Sequence, residues 1–322
     1  MTLKERGRRV RVTHPTPAQR AEAEERRLAP MMRALKAIHS ASSPESMRPE
    51  DLKRQRAAQE VLGRLITPMI GMKWAPFELE GMNAAWVRPE RSYDRNHAIL
   101  YCHGGGYTSG NLGYSRPLAS KLSGVTGWDT LSFEYRLAPE NPYPAAVEDA
   151  MKAWDYLMYQ GYGARDVVVA GDSAGGNLAL VLTHLLKTAG RRLPRALILL
   201  SPWTDMTASG KSYQERADID PVLTLNYIHA VRDAYAHGRD WSDPCLSPLF
   251  ADLSGFPPTL IQAGTNEILL SDSIRLRDRL VQAAVPCRLE VWTELWHVFQ
   301  MFPMKKATEA MESIGRFLLE TL

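Results

Sequence analysis

A six-residue stretch between an apolar run and a helical one restricts this chain's fold more than any other feature. Val167–Ala170 is short, apolar and rich in β-formers; Gly171-Asp172-Ser173-Ala174-Gly175-Gly176 follows at once, and the residues from Gly175 to Lys187 are helix-forming. The first five of these residues match G-x-S-x-G, placed directly between a strand and a helix. Glycines two before and two after Ser173 let the chain fold back on itself. The serine then takes a strained conformation at the carboxyl end of a sheet and the positive end of a helix. A plain Gly-rich turn would satisfy the motif alone; the flanking strand and helix favour an exposed nucleophile.

The rest of the chain agrees with that placement. Short runs of β-formers recur at 98–102, 130–133, 167–170, 196–200, 259–262 and 288–292, and helical stretches at 144–159, 175–187, 272–284 and 305–320 separate most of them. Strands alternating with helices predict a mainly parallel sheet covered on both faces. An antiparallel pair around Phe77–Val87 is expected to open it. Residues 1–73 read as helical. Thr16-Pro17-Ala18-Gln19 has the form of a capping box, Leu28, Met31, Met32, Leu35 and Ile38 follow at helical spacing, Ser42-Ser43-Pro44 breaks the pattern, and a second helix is expected from Pro49 to Ile66. Residues 203–248 interrupt the alternation with a turn-rich, helical insertion carrying Trp203, Tyr213, Tyr227, Tyr235 and Trp241. The expected organisation is a helical segment at 1–73, core at 74–202, an insertion at 203–248 and core again at 249–322.

A second glycine motif, His103-Gly104-Gly105-Gly106-Tyr107, also follows an apolar strand. Consecutive glycines bring backbone N–H groups close to a ligand, and a tetrahedral acyl intermediate needs such donors at its oxyanion. No Gly-Lys-Ser/Thr follows, so a P-loop is excluded. His103 is read as bracing this loop. A serine nucleophile on such a turn is followed in the chain by an acid and then a histidine. His184 falls in the helix after the nucleophile, and His229 and His237 fall in the insertion. His297, in Leu295-Trp296-His297-Val298-Phe299, lies beyond the last strand and is the expected base. Three carboxylates remain open as the acid: Glu267 just past the strand 259–262, Asp272 where a helix begins, and Glu294 near His297. Asp272 also has a structural explanation as helix N-terminal chemistry.

Composition narrows the partners. The chain has 322 residues, 45% hydrophobic and 23% charged, with a net charge of +3, which argues for a sizeable core and against a dedicated nucleic-acid binder. Residues 1–40 hold ten Lys/Arg against four Asp/Glu. No apolar face accompanies the first dozen residues, so the basic start reads as a solvated face rather than a membrane anchor. Cys102, Cys245 and Cys287 are too few and too scattered for a disulfide framework or a zinc site. With no apolar leader or spanning run, the expectation is a cytoplasmic protein without stable membrane insertion.

The chain resembles the bacterial hormone-sensitive-lipase-like esterases, a branch of the α/β hydrolases. The stretches that carry the resemblance are HGGGY at 103–107, EYRLAPENPYPAAVEDA at 134–150, GDSAGGN at 171–177, SPW at 201–203 and WHVFQ at 296–300, and the likeness covers residues 75–322. It implies an α/β-hydrolase fold with a helical cap, and hydrolysis of short- to medium-chain carboxylic esters. It implies Ser173 as nucleophile, His297 as base, Glu267 as acid, and an oxyanion hole from Gly105, Gly106 and Ala174. Where the family has Asp followed by a Pro-Leu-like pair, Ile268-Leu269 follows Glu267. The resemblance further implies no metal or other cofactor, a small-molecule ester as partner, and often a homodimer. Tyr107, Trp203 and Val298 are expected at the substrate pocket; Met31, Met32 and Tyr213 are read equally as pocket or cap core. A lactone hydrolase or dedicated acetylesterase would use the same triad. A ligand-binding protein on a decayed scaffold would have lost the nucleophile or the base, and both are present. A lipase acting at membrane surfaces has only the basic N-terminus in its favour.

Overall fold

The computed structural model describes residues 29–30, 32–37, 47–65, 70–91 and 94–321. The expected capping box at 16–19, Leu28, Met31, Ile38 and the break at 42–44 lie outside the described residues. In chain order the elements are α1 (Pro49–Leu65), β1 (Met72–Leu79), β2 (Met82–Pro89), β3 (Asp94–Cys102), α2 (Leu112–Thr126), β4 (Trp128–Phe133), α3 (Ala145–Tyr159), β5 (Val167–Asp172), α4 (Ala174–Thr188), β6 (Leu197–Leu200), α5 (Ser212–Glu215), α6 (Leu225–Ala236), β7 (Thr259–Gly264), α7 (Leu270–Gln282), β8 (Cys287–Trp292) and α8 (Lys305–Thr321).

The eight strands form one sheet in the order β1-β2-β4-β3-β5-β6-β7-β8. β1 pairs with β2, and β2 with β4, antiparallel; every other pair is parallel. The expected antiparallel opening is therefore present, and β1 begins at Met72. β5 lies fourth from the β8 edge, and all six of its residues are buried. Its side chains divide by pleat parity: Val167 and Val169 join the core on the α3, α4 and α7 side, Val168 and Ala170 the core on the α2 and α8 side. α8 covers its face with Ala307, Ala310, Met311, Ile314, Phe317 and Leu318, spaced as one helical stripe. Burying each of its larger apolar side chains stabilises the packing by roughly 1.5–3 kcal/mol.

α2 is not among the helices expected from the sequence. Gly113, Ser115, Pro117, Ser120, Ser123 and Gly124 give it weak helical propensity. Its ends are nevertheless well made: the Asn111 side chain accepts from Tyr114 N at 2.9 Å, and Gly127, at φ +71°, donates its N–H to Ser123 O at 2.8 Å. The buried hydroxyls are also satisfied, Ser132 Oγ bonding Ser115 Oγ and Ser123 Oγ bonding Trp128 O, each at 2.8 Å.

The carboxyl ends of the parallel strands lie together. β3 runs into HGGGY, β5 into Ser173, β7 into the loop of Glu267, and β8 into the loop of His297. In open α/β sheets this is the edge at which ligands bind. Among the described residues no helix is long and apolar enough to cross a membrane.

Candidate active site

Ser173 sits between β5 and α4 at φ +54°, ψ −121°, a conformation that costs a non-glycine residue about 1–3 kcal/mol. The surroundings hold it there. Its N–H donates to Leu200 O at 2.9 Å, and its carbonyl accepts from Gly176 N at 3.0 Å and Trp203 N at 3.1 Å. A Cβ on Gly171 would collide with the Gly175 carbonyl, and one on Gly175 with the Cys102 and His103 carbonyls. Bare glycine at 175 therefore lets the first turn of α4 dock onto the end of β3, where the second glycine motif begins.

Asp172 joins the two motifs. Its buried carboxylate accepts from Tyr101 OH at 2.5 Å, Tyr114 OH at 2.9 Å and Gly104 N at 2.9 Å. Burial pushes its pKa up, while those three donors oppose the shift. Gly105, at φ +113°, closes a turn by accepting from Ser109 N and Ser109 Oγ. The N–H groups of Gly105, Gly106 and Ala174 have no hydrogen-bond acceptor among the described residues. His103 is buried, stacks on Tyr135 at 4.1 Å and bonds Gly104 O through Nδ1 at 2.8 Å. Burial lowers its pKa to about 4, so it braces the loop as a neutral ring.

Glu267 and His297 come together from separate loops. His297 Nδ1 is 3.4 Å from Glu267 Oε2. The other carboxylate oxygen accepts from Ser201 Oγ at 2.8 Å and from Gly264 N. Ser201 Oγ in turn accepts from Val298 N at 3.1 Å, so one hydroxyl bridges the loop of Glu267 and the loop of His297. Backbone bonds Thr265 N→Trp292 O and Asn266 N→Leu295 O add to that join. Beyond the histidine, Lys121 on α2 donates to the carbonyls of Gln300, Met301 and Phe302. Asp220 is buried; it accepts from Val222 N and Leu223 N with one oxygen and from Ile268 N with the other, each bond 2.8–2.9 Å. Burial pushes its pKa up to about 6, against the pull of His297. The insertion is thereby pinned to the residue after Glu267.

The other two carboxylates point elsewhere. Asp272 lies in the first turn of α7, but its side chain does not serve that helix. It accepts from Thr204 N at 2.8 Å, Asp205 N at 3.0 Å and Tyr213 OH at 3.2 Å, so the helix-terminal role expected of it is replaced by bracing the start of the insertion. Glu294 is half-buried, and its backbone, not its carboxylate, reaches the Thr265–Asn266 loop.

One cavity is lined by Ser173, His297, Gly105, Gly106, Trp203 and Val298, with Leu35, Gln55, Gln59, Val222, Leu223 and Tyr227 among its other walls. Tyr107, expected at the pocket, lies behind it instead. Its ring stacks on Tyr235 at 3.7 Å and its hydroxyl donates to Asn177 at 2.8 Å, because φ +61° at the end of the glycine run turns the side chain into the core. Tyr213 and Met32 pack in the apolar clusters and do not line the cavity. His184, His229 and His237 do not line it.

Asp172, Asn177, Ser201, Asp220 and Lys121 were not singled out from the sequence. Asp172 carried a signal, a carboxylate ending an all-apolar strand; the side-chain partners of Asn177, Ser201 and Lys121 are 26 or more residues distant in the chain, as is Ile268, which Asp220 holds besides its neighbours Val222 and Leu223.

The chain matches the α/β-hydrolase-fold family over residues 99–301. It is 38% identical over 237 residues to an acetyl-hydrolase from Streptomyces hygroscopicus, covering 73% of this chain and 79% of that one. It is 34% identical over 265 residues to an esterase from Acinetobacter venetianus, covering 81% and 87%. Its structure superposes on that of an esterase from the bacterial hormone-sensitive lipase family with a TM-score of 0.84 at 32% identity, over 91% of this chain and 98% of the other. The chain therefore belongs to the α/β-hydrolase-fold family, in its branch of bacterial hormone-sensitive-lipase-like carboxylic-ester hydrolases.

Proposed function

We propose that this hydrolase cleaves small carboxylic esters through an acyl-enzyme on Ser173, with His297 as general base and acid and Glu267 as the carboxylate that orients it. The observation that carries the reading is the Glu267–His297 pair opening onto the cavity that holds Ser173 on its strained turn. His297 takes the hydroxyl proton as Ser173 Oγ attacks the carbonyl carbon. The oxyanion accepts from the N–H groups of Gly105, Gly106 and Ala174, which have no other acceptor among the described residues. The alcohol leaves with the proton from His297, and water, activated in the same way, releases the acid. Glu267 holds the imidazole in the tautomer whose Nε2 accepts, and stabilises the imidazolium. The scheme uses no cofactor or metal.

A cap made of residues 1–73 and 203–248 over a core of 74–202 and 249–322 belongs to this reading. Leu35, Gln55 and Gln59 of the first segment and Val222, Leu223 and Tyr227 of the second wall the cavity, and Gln55 Nε2 donates to Tyr227 OH at 2.7 Å between them. The cavity measures about 130 Å³, well below the roughly 300–1,000 Å³ of sites for drug-sized ligands, which supports short acyl groups. Hydrolysis of p-nitrophenyl esters from acetate to palmitate is the test. Acetate to hexanoate are expected to turn over, and palmitate at least about 100-fold more slowly. Faster cleavage of palmitate, or none of any ester by folded protein, would overturn the reading.

Action in a reducing compartment such as the cytoplasm is supported by three free thiols. Pairing into a homodimer is supported by the outer edge of β8, which pairs with no strand among the described residues and exposes Val291. Light scattering showing a monomer at micromolar concentration would count against the dimer.

A further inference from the structure

The wall that α1 gives the cavity is polar in an otherwise apolar enclosure. Val222, Leu223, Ile228, Val231 and Val298 are apolar surfaces, Trp203 adds an indole and Tyr227 a hydroxyl that accepts from Gln55. Tyr114, also on the wall, has its hydroxyl committed to Asp172. Gln55 and Gln59 are one helical turn apart on α1 and both face the cavity. Gln55 is 3% exposed. Its Nε2 is engaged with Tyr227 OH, but its Oε1 is buried and has no partner among the described residues; the same holds for the Oε1 of Gln59. Two unpaired amide oxygens buried on side chains that line a cavity are unfavourable unless something bound there donates to them.

Nor are the two side chains placed by chance contact. Between them in sequence, Arg56 fixes α1 over the glycine loop. Its guanidinium donates to Thr108 O at 2.9 Å and Ala138 O at 3.1 Å, and pairs with Glu140 at 2.7 Å. The helix that presents the amides is thus anchored to the loop that presents Gly105 and Gly106.

Resting on the esterase reading above, we propose that the preferred substrate is an ester bearing a hydrogen-bond donor, a hydroxyl or an amide N–H, on its acyl or its alcohol part, held by the side-chain carbonyls of Gln55 and Gln59. These residues then set specificity without touching the reacting atoms. A site built to accept a substrate donor discriminates against the analogue lacking it, because binding that analogue leaves the buried acceptor unpaired.

The test uses the full chain and ratios of kcat/KM within one preparation, so that partial misfolding of a variant cancels. On the acyl side, p-nitrophenyl 3-hydroxybutyrate and 3-acetamidobutyrate are compared with the butyrate and the 3-methoxybutyrate. On the alcohol side, 4-hydroxybutyl and 2-acetamidoethyl acetates are compared with butyl and 4-methoxybutyl acetates. Wild type is expected to favour a donor-bearing ester in at least one series by about tenfold over both its plain and its methoxy analogue. That ratio is expected to fall towards one in Gln59→Leu and Gln55→Leu, and to persist in Gln59→Glu, which keeps the acceptor. The hydroxyl and acetamido arms tell the two donor types apart. No preference in either series, a preference retained by both leucine variants, or a preference for the methoxy esters overturns the proposal. Absence of turnover on plain p-nitrophenyl butyrate by wild type would instead remove the esterase reading beneath it.

Discussion

Ser173→Ala is expected to lower kcat for p-nitrophenyl butyrate by about 10⁵–10⁶-fold while leaving the chain folded. The size follows from what is lost. Without Oγ there is no acyl-enzyme, and His297 has no proton to take; what survives is the placement of water by the oxyanion donors. The fold is expected to persist because the bonds that hold this turn are made by the backbone of residue 173, through Leu200 O, Gly176 N and Trp203 N. Alanine at φ +54° carries the same backbone strain as serine. Single-turnover mass spectrometry gives the second readout: wild type mixed with the ester shows an added acyl mass, and the variant shows none. Residual activity within about tenfold of wild type would place the nucleophile elsewhere.

Glu267→Gln and Asp272→Asn are expected to separate by three to four orders of magnitude. Each replaces a buried carboxylate by an amide of nearly the same shape, in the same part of the chain. At position 267 the amide can present an NH₂ to His297 Nδ1, where an acceptor is required; the tautomer reverses and the imidazolium loses its counter-charge. A loss of about 10³–10⁴-fold in kcat is expected, the scale seen when a triad acid becomes an amide. At position 272 one oxygen of the carboxyl group serves Thr204 N, Asp205 N and Tyr213 OH, and an asparagine oxygen can accept the same bonds. Activity within about threefold of wild type is expected there. Equal loss in both variants, or a larger loss at 272, would reassign the acid.

Asp272→Asn is also expected to change how stability depends on pH. Burial, and Asp205 nearby, push the pKa of Asp272 up to about 8, from an unfolded value near 4. The folded state therefore binds the proton more tightly than the unfolded state between those values, and stability falls as pH rises through that window. In Asp272→Asn this contribution is absent. The fall in Tm between pH 5 and 9 is expected to be shallower in the variant than in wild type, read by differential scanning calorimetry.

These outcomes follow the division between what was legible in the chain and what was not. The nucleophile turn, the glycine loop and the histidine loop were legible because each depends on local chemistry at a strand end. The proposed acid was legible only as a choice among three, since a carboxylate just past a strand and one in the first turn of a helix look equally apt until the side chains find partners. The resemblance favoured Glu267, and the geometry brings that residue to His297 despite the Ile268-Leu269 departure. α2 was missed because its serines, glycines and proline weaken local propensity, while burial against β4 and paired hydroxyls favour the helix. Tyr107 was misplaced because its backbone conformation, not its position after the glycines, decides where the ring goes.

From the sequence alone came a parallel sheet with helices on both faces, a serine on a strand-to-helix turn, a Gly-rich donor loop and a histidine beyond the last strand, all consequences of interactions within a few residues. The tertiary structure alone decided that Asp172 ties the two glycine motifs, that Ser201 bridges acid and histidine, that Asp220 pins the insertion to the acid loop, and that Gln55 and Gln59 face the cavity. Each of those is a hydrogen bond or a shared cavity between residues tens of positions apart, and periodicity, spacing and propensity contain no term for a partner that only the folded chain brings near.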